Sequence, residues 1–414
     1  MILRARTILP ISRQPIENGA IVISDNRIRA VGPWTDLQPH ASGEISDLGE
    51  VVLLPGLVNA HCHLDYTDMA GQLPPPKKFT DWIPLMLAAK AEWSYTEYAR
   101  SWLNGARMLL QSGTTTVADI EAAPELLPEM WAATPLRIFS FLEMTGVRAK
   151  RAPSEILWQA LEKADSLAHP RCRAALSPHA PYSTSSELLR LCAETARERN
   201  LLVATHVAES EQELEMFTEA RGEMFHWLQR NGRDMSDCGH GSPVQHVEKA
   251  GLPGKAFLAI HVNCLAPGDA ELLGKRGVHI VHCPRSHEYF RHPKFPHEQL
   301  AGAGANLCLG TDSLATVRKS EKEKIELNLF TEMQAFAATN KGIPPEDILK
   351  MATIAGAKAL GMAGQIGELL ENALADLITI PFTGKKADIF DSVVHHPSTV
   401  SASMIDGQWT ITCE

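Results

Sequence analysis

The sequence predicts an α/β protein: a (β/α)8 TIM-like barrel carrying a small β-sandwich domain formed by both termini. Two observations support this. Eight apolar runs, at 51–60, 114–120, 136–143, 172–180, 201–209, 256–264, 277–284 and 306–313, alternate with amphipathic stretches. Strands that alternate with helices specify a parallel sheet, and eight of them suit closure into a barrel. The two ends of the chain have a different texture, with short alternating strands and turn signals instead of helices.

At the start, Ala20-Ile-Val-Ile-Ser24 leads into the turn pair Asp25-Asn26 and then into Arg27-Ile-Arg-Ala-Val-Gly32, an alternating strand. At the end, Leu374-Ala-Asp-Leu-Ile-Thr-Ile380 and Ser403-Met-Ile-Asp-Gly-Gln-Trp-Thr-Ile411 read the same way, with Asp406-Gly407 as the turn. The expected domains are therefore 1–53 with 366–414 for the small β unit, and 54–365 for the barrel. Between the barrel strands, Ser185–Arg199, Glu211–Gln229 and Lys319–Ala338 carry helical periodicity. An open doubly wound sheet is the competing architecture. It would more often place a Gly-rich phosphate loop after its first strand, and none occurs here. The run Pro74-Pro-Pro-Lys-Lys78 reads as a rigid loop after strand one.

Bulk properties narrow the function. With 39 basic and 49 acidic residues the net charge is −10, and no basic stripe offsets it. Nucleic acid and anionic membrane surfaces are therefore poor partners, and a small-molecule substrate is expected. No apolar run approaches the roughly 20 residues of a membrane span. The opening Met1-Ile-Leu-Arg-Ala-Arg6 lacks the apolar stretch of a signal peptide. Eight scattered cysteines contain no CxxC pair, which fits reduced thiols in the cytoplasm. The number of subunits is open, a homo-oligomer included.

Catalytic groups of such barrels sit at the C-terminal ends of the strands, so each end can be inspected in turn. Strand one ends in His61-Cys62-His63, and residues i and i+2 of a strand face the same way. Strand five ends in Thr205-His206-Val-Ala-Glu209, strand six in Ile260-His261, and strand eight in Leu309-Gly-Thr-Asp312. A carboxylate at the end of an apolar strand is costly to bury unless it is paired or coordinates a metal. Histidines and a carboxylate at converging strand ends can hold a divalent ion with room for a water. Glu209 is placed to move that water's proton, and His261, if not itself a ligand, to orient the water or an oxyanion.

These stretches resemble the amidohydrolase superfamily, in particular its cytosine deaminase and chlorohydrolase-like branch. The matching motifs are Leu54-Pro-Gly-Leu-Val-Asn-Ala-His-Cys-His63, Ser177-Pro-His-Ala-Pro-Tyr182, His206-Val-Ala-Glu209, Ala259-Ile-His-Val-Asn263 and Leu309-Gly-Thr-Asp312. Met351-Ala-Thr-Ile-Ala-Gly-Ala-Lys-Ala-Leu360 looks like the helix that follows the barrel in that superfamily. The resemblance implies that His61, His63, His206 and Asp312 are metal ligands and that Asp312 also belongs to the catalytic set. It makes Glu209 and His261 the proton-handling pair and His179 a substrate contact. Two-metal members carry a lysine at the end of strand four, and Cys172-Arg-Ala-Ala-Leu-Ser-Pro-His-Ala180 has none. One divalent ion is expected, zinc first and iron as the alternative.

Three more residues are candidate substrate contacts. Trp82 matches in position a pocket tryptophan of some deaminases. Arg285 is a candidate for an anionic substrate group, with a surface ion pair as the plain alternative. His287 stands where nucleoside-type members usually have Asn. The implied reaction is hydrolysis of a non-peptide C–N bond, the deamination of a nucleoside-like or other N-heterocyclic molecule such as adenosine-type and aminodeoxyfutalosine substrates. Amide, lactam or chloro-triazine hydrolysis is the alternative, and a non-catalytic ligand-binding barrel the remote one.

Overall fold

The computed structural model describes residues 1–40, 43–147, 151–252, 254–318, 325–397 and 399–412. Among them, eight strands form one parallel sheet in sequence order: Leu57–Cys62, Thr114–Glu121, Arg137–Met144, Arg173–Pro178, Val203–Val207, Phe257–His261, His279–His282 and Asn306–Leu309. Most of their residues are buried on both faces, as expected for strands wrapped by helices. One apolar cluster gathers Val58, Ala118, Phe139, Ala204 and Leu258 from five different strands and packs them on Ala357 and Leu360 after strand eight.

The first and last strands meet at a seam. Cys62 bridges Asp312 in parallel register, and the Thr311 amide donates to the His61 carbonyl at 2.9 Å. The Asn59 side chain ties the same seam, donating to Thr311 Oγ1 at 2.8 Å and accepting from the Thr311 amide at 3.1 Å. Gly310 permits this approach, because a Cβ there would lie 2.8 Å from the His61 carbonyl oxygen. Barrel closure thus brings Asp312 beside His61.

The apolar run 51–60 is two strands. Val51–Pro55 belongs to the terminal sheet, antiparallel to Leu377–Pro381 and parallel to Ile2–Ile8. After Gly56 the chain enters the barrel as Leu57–Cys62. Both segments are fully buried, so hydrophobicity alone gives no signal for the change of sheet. The terminal sheet runs in the order Gln408–Ile411, Ala402–Ile405, Leu377–Pro381, Val51–Pro55, Ile2–Ile8, Ile16–Ser24, Arg27–Pro33, with Ile45–Asp47 also paired to Ile2–Ile8. Asp25, at φ 55°, makes the tight turn read from Asp25-Asn26.

Helix Ser186–Arg199 starts where Ser185 accepts a hydrogen bond from the Leu188 amide. The stretch read as one helix over 211–229 breaks into Glu211–Glu219 and Gly222–Arg230, with Ala220 in the left-handed region at φ 50°. The third predicted helix is observed as Leu329–Thr339, and its expected first residues, 319–324, lie outside the described residues. No helix among the described residues is long and apolar enough to cross a membrane.

Candidate active site

The strand ends bring the expected ligand residues around one point. His61 ends the first strand with Cys62, and His63 follows in extended backbone (φ −124°, ψ 92°), so their ring centroids lie 4.9 Å apart. The His206 ring stands 5.1 Å from His61 and 5.5 Å from His63. One ring nitrogen from each of the three lies within 4.8 Å of the others. Asp312 Oδ1 is 3.5 Å from His61 Nε2 and 3.8 Å from His63 Nε2. Asp312 adopts φ 53°, a strained region for a residue with a side chain. It is held there by the Ser313 amide, which donates to Oδ1 at 2.7 Å, and the Thr316 hydroxyl, which donates to Oδ2 at 3.3 Å.

Both ring nitrogens of His61 and Nδ1 of His63 are buried without a hydrogen-bond partner among the described residues. Buried polar atoms are nearly always paired, so such orphans at one point call for a ligand. Three imidazoles and a carboxylate fit a divalent transition ion. The His206 ring is already oriented for this, because its Nδ1 lies 2.8 Å from the His179 carbonyl, an acceptor, which leaves Nε2 free. Burial, with the neighbouring imidazoles of His179 and His61, pushes the His206 pKa down to about 3. His63 is lowered for the same reasons, burial first and then His61. Burial acts to raise Asp312, but His61, His261 and His63 outweigh it and hold the carboxyl well below its usual range. Neutral imidazoles facing an ionised carboxylate are the protonation states a bound cation needs.

Glu209 follows the fifth strand after Ala208, which is left-handed at φ 53°. Its backbone is fixed at both ends: its amide donates to Glu213 Oε2 at 2.8 Å, and its carbonyl accepts from the Asn263 side chain at 3.0 Å. His261, at φ 74°, aims Nε2 to within 3.5 Å of Glu209 Oε1. Burial raises the Glu209 pKa well above the ordinary carboxyl value, and the negative charges of Asp312 and Glu213 add to it. A carboxyl raised in this way holds a proton more readily than an exposed one, which suits it to accept one from a neighbouring water.

These groups open onto a cavity of about 540 Å³. His63, His206, Glu209, His261 and Asp312 form part of its wall, and His61 lies behind them, its ring 5.1 Å from that of His206. Trp82 is also on the wall, in helix Phe79–Ala91, with its ring 5.4 Å from Phe290. The loop after strand one is anchored nearby, since the Tyr289 hydroxyl donates to the carbonyls of Leu73 and Pro74. His179 lines the cavity too, with Nδ1 2.6 Å from Ser183 Oγ.

Arg285 and His287 are not on that wall, contrary to the expectation that they contact substrate. Pro284 starts a helix, Pro284–Phe290, directly after strand seven, so neither residue continues the strand into the cavity. The Arg285 guanidinium instead binds the fully buried Glu332 carboxylate at 2.5 Å and the Glu326 carbonyl at 2.9 Å. His287 pairs through Nδ1 with Asn263 Oδ1 at 3.0 Å, the same Asn263 that holds the Glu209 carbonyl. His287 is thereby linked through Asn263 to the Glu209 backbone.

Sequence reasoning missed several polar residues of the cavity, among them Glu143, Lys90, Arg151 and Asn231. Glu143 was within reach: it is an acid near the end of an apolar strand, the signal that singled out Asp312. Lys90 sits on helix Phe79–Ala91 among ordinary helix residues and gives no such signal.

The profile of the amidohydrolase family matches residues 52–410. The chain is 34% identical over 392 residues to the 5-methylthioadenosine/S-adenosylhomocysteine deaminase of Syntrophobacter fumaroxidans, covering 88% of this chain and 80% of that one. Among solved structures, the Helicobacter pylori aminofutalosine deaminase in complex with methylthio-coformycin superposes with a TM-score of 0.86 at 21% identity, over 99% of this chain and 100% of that one. An adenosine deaminase from Xanthomonas campestris with bound zinc gives a TM-score of 0.85 at 22% identity, over 100% and 93%. The two structural likenesses establish the shared fold.

Proposed function

The chain belongs to the amidohydrolase family, and from that premise we propose that it is a one-metal deaminase of adenine-type nucleosides. One observation carries the reading. Three unpartnered or singly bonded imidazoles, a strained carboxylate and the Glu209–His261 pair converge on one largely apolar cavity large enough for a nucleoside. The nucleoside class is supported by the relative of Syntrophobacter fumaroxidans, whose named substrates are 5-methylthioadenosine and S-adenosylhomocysteine.

His61, His63, His206 and Asp312 would hold the ion, which when bound lowers the pKa of water towards neutrality. We propose zinc, supported by a donor set of three nitrogens and a carboxylate and by the zinc in the Xanthomonas campestris enzyme. Glu209 takes the proton of the attacking water and delivers it to the departing amino group, which leaves as ammonia. His261, held neutral by burial, hydrogen-bonds the attacking oxygen as negative charge develops there. Trp82 and Phe290 pack on the ring and exclude water from it. We place the enzyme in the cytoplasm, which its seven described cysteines, all free and buried, support.

The test is ammonia release by purified metal-replete enzyme from 5′-methylthioadenosine, S-adenosylhomocysteine, adenosine, adenine, cytosine and triazines. Turnover of one or more of the nucleosides is expected. Turnover confined to triazines or cytosine would replace this reading with another hydrolysis on the same barrel.

A further inference from the structure

Glu143 is the penultimate residue of the third barrel strand, Arg137–Met144, and it lines the cavity with its side chain only 12% exposed. No hydrogen-bond donor among the described residues reaches it. The nearest nitrogen is His179 Nε2, at 4.0 Å from Oε2. That gap is too long for a hydrogen bond. A largely buried carboxylate without a donor is costly, so the corner is built for a group that arrives with the substrate.

The chemistry of that group follows from its surroundings. Lys90 lines the same cavity, its ammonium 4.8 Å from the centre of the Tyr66 ring and with no carboxylate within 4.0 Å among the described residues. A cation would be repelled by Lys90 and an anion by Glu143. Hydroxyl groups suit both, since each can donate to Glu143 and accept from Lys90. A hydroxyl oxygen about 2.8 Å from each partner also spans the gap between Glu143 and His179. The place fits as well. The His179 ring lies 4.7 Å from that of His206, and its Nε2 is 4.0 Å from Glu143, so His179 stands between the ligand cluster and this corner in the chain of contacts.

We propose that Glu143, with His179 and Lys90, recognises the hydroxyl pair of a ribosyl substituent and makes the enzyme select ribonucleosides over free bases and dideoxy analogues. This rests on the nucleoside reading given above. Glu143 is a specificity residue that touches the sugar, and the reacting centre is served by other groups.

The experiment compares kcat/KM for 5′-methylthioadenosine with that for its 2′,3′-dideoxy analogue, in the wild type and in Glu143→Gln and Glu143→Ala, with melting temperature and metal content of each. A charged hydrogen bond lost to an unpaired partner is worth roughly 10- to 100-fold. The wild type is expected to prefer the ribosyl compound by at least ~10-fold, chiefly through KM, and Glu143→Ala to bring the ratio close to one. Equal rates on the two compounds in the wild type would overturn the inference without any variant, as would a ratio that survives Glu143→Ala. In both of these cases the nucleoside reading stands. No turnover of any nucleoside would instead remove that reading, and the inference with it.

Discussion

His206 and His179 are joined through the main chain: Nδ1 of His206 lies 2.8 Å from the carbonyl oxygen of His179. The ring of His206 is therefore aimed by a peptide group, and no side chain at position 179 is needed to aim it. His179→Ala is expected to keep its metal content while kcat/KM falls ~10- to 100-fold, the scale of a lost polar substrate contact in a buried site. Elemental analysis beside steady-state kinetics checks this. Loss of the ion in this variant would mean that the His179 ring, not its backbone, supports the ligand set.

Glu209→Gln keeps the size and hydrogen-bonding capacity of the side chain but removes its ability to carry a proton. A drop in kcat of at least ~10²-fold is expected, the usual contribution of a general acid–base group. Melting temperature and metal content should hardly move, because the contacts that fix this residue are made by its backbone. Wild-type turnover would assign the proton transfer to another group.

Arg285 has a structural task. Its side chain meets a Glu332 carboxylate with no solvent exposure, so Arg285→Ala leaves that charge without its counter-ion. Breaking a buried pair from one side typically costs about 3–5 kcal/mol. Denaturant unfolding should show a loss of that order, with KM for the best substrate changed little. A large KM effect with unaltered stability would restore Arg285 as a substrate contact.

Glu213 makes stability depend on pH. Burial raises its pKa from the ordinary 4.5 to about 8, against the lowering effect of the backbone amides it accepts from. Between those two values the unfolded chain has released the proton and the folded one still holds it. The folded state binds more protons there, so stability falls as pH rises across that window. In Glu213→Gln this contribution is absent. The difference in unfolding free energy between wild type and variant should therefore shift against the wild type from pH 5 to pH 8. A difference that stays flat would show that Glu213 is ionised in the folded protein at neutral pH.

That His61, His63, His206, Asp312, Glu209 and His261 converge was legible because the barrel imposes a rule: polar groups that end apolar strands gather at one mouth, and period-two alternation says which side chains share a face. His61 and His63 obey it directly. Strand seven was harder. A run such as His282-Cys-Pro-Arg-Ser-His287 does not show that the chain turns into a helix at Pro284, and that turn removes Arg285 and His287 from the cavity. The division of 51–60 at Gly56 was hidden for a related reason, since a buried strand reads the same in either sheet. Lys90 was invisible because its place depends on how helix Phe79–Ala91 packs across the barrel mouth, a long-range fact with no local signature.

The most direct test of a single catalytic ion held by His61, His63, His206 and Asp312 is a reconstitution titration. Enzyme stripped with a chelator is given increasing zinc, and nucleoside deamination is followed against the ratio of ion to chain. Activity should rise linearly from near zero and level off at one equivalent, with Asp312→Ala failing to recover. Full activity in the stripped enzyme, or a plateau reached only at two equivalents, would contradict the one-metal site.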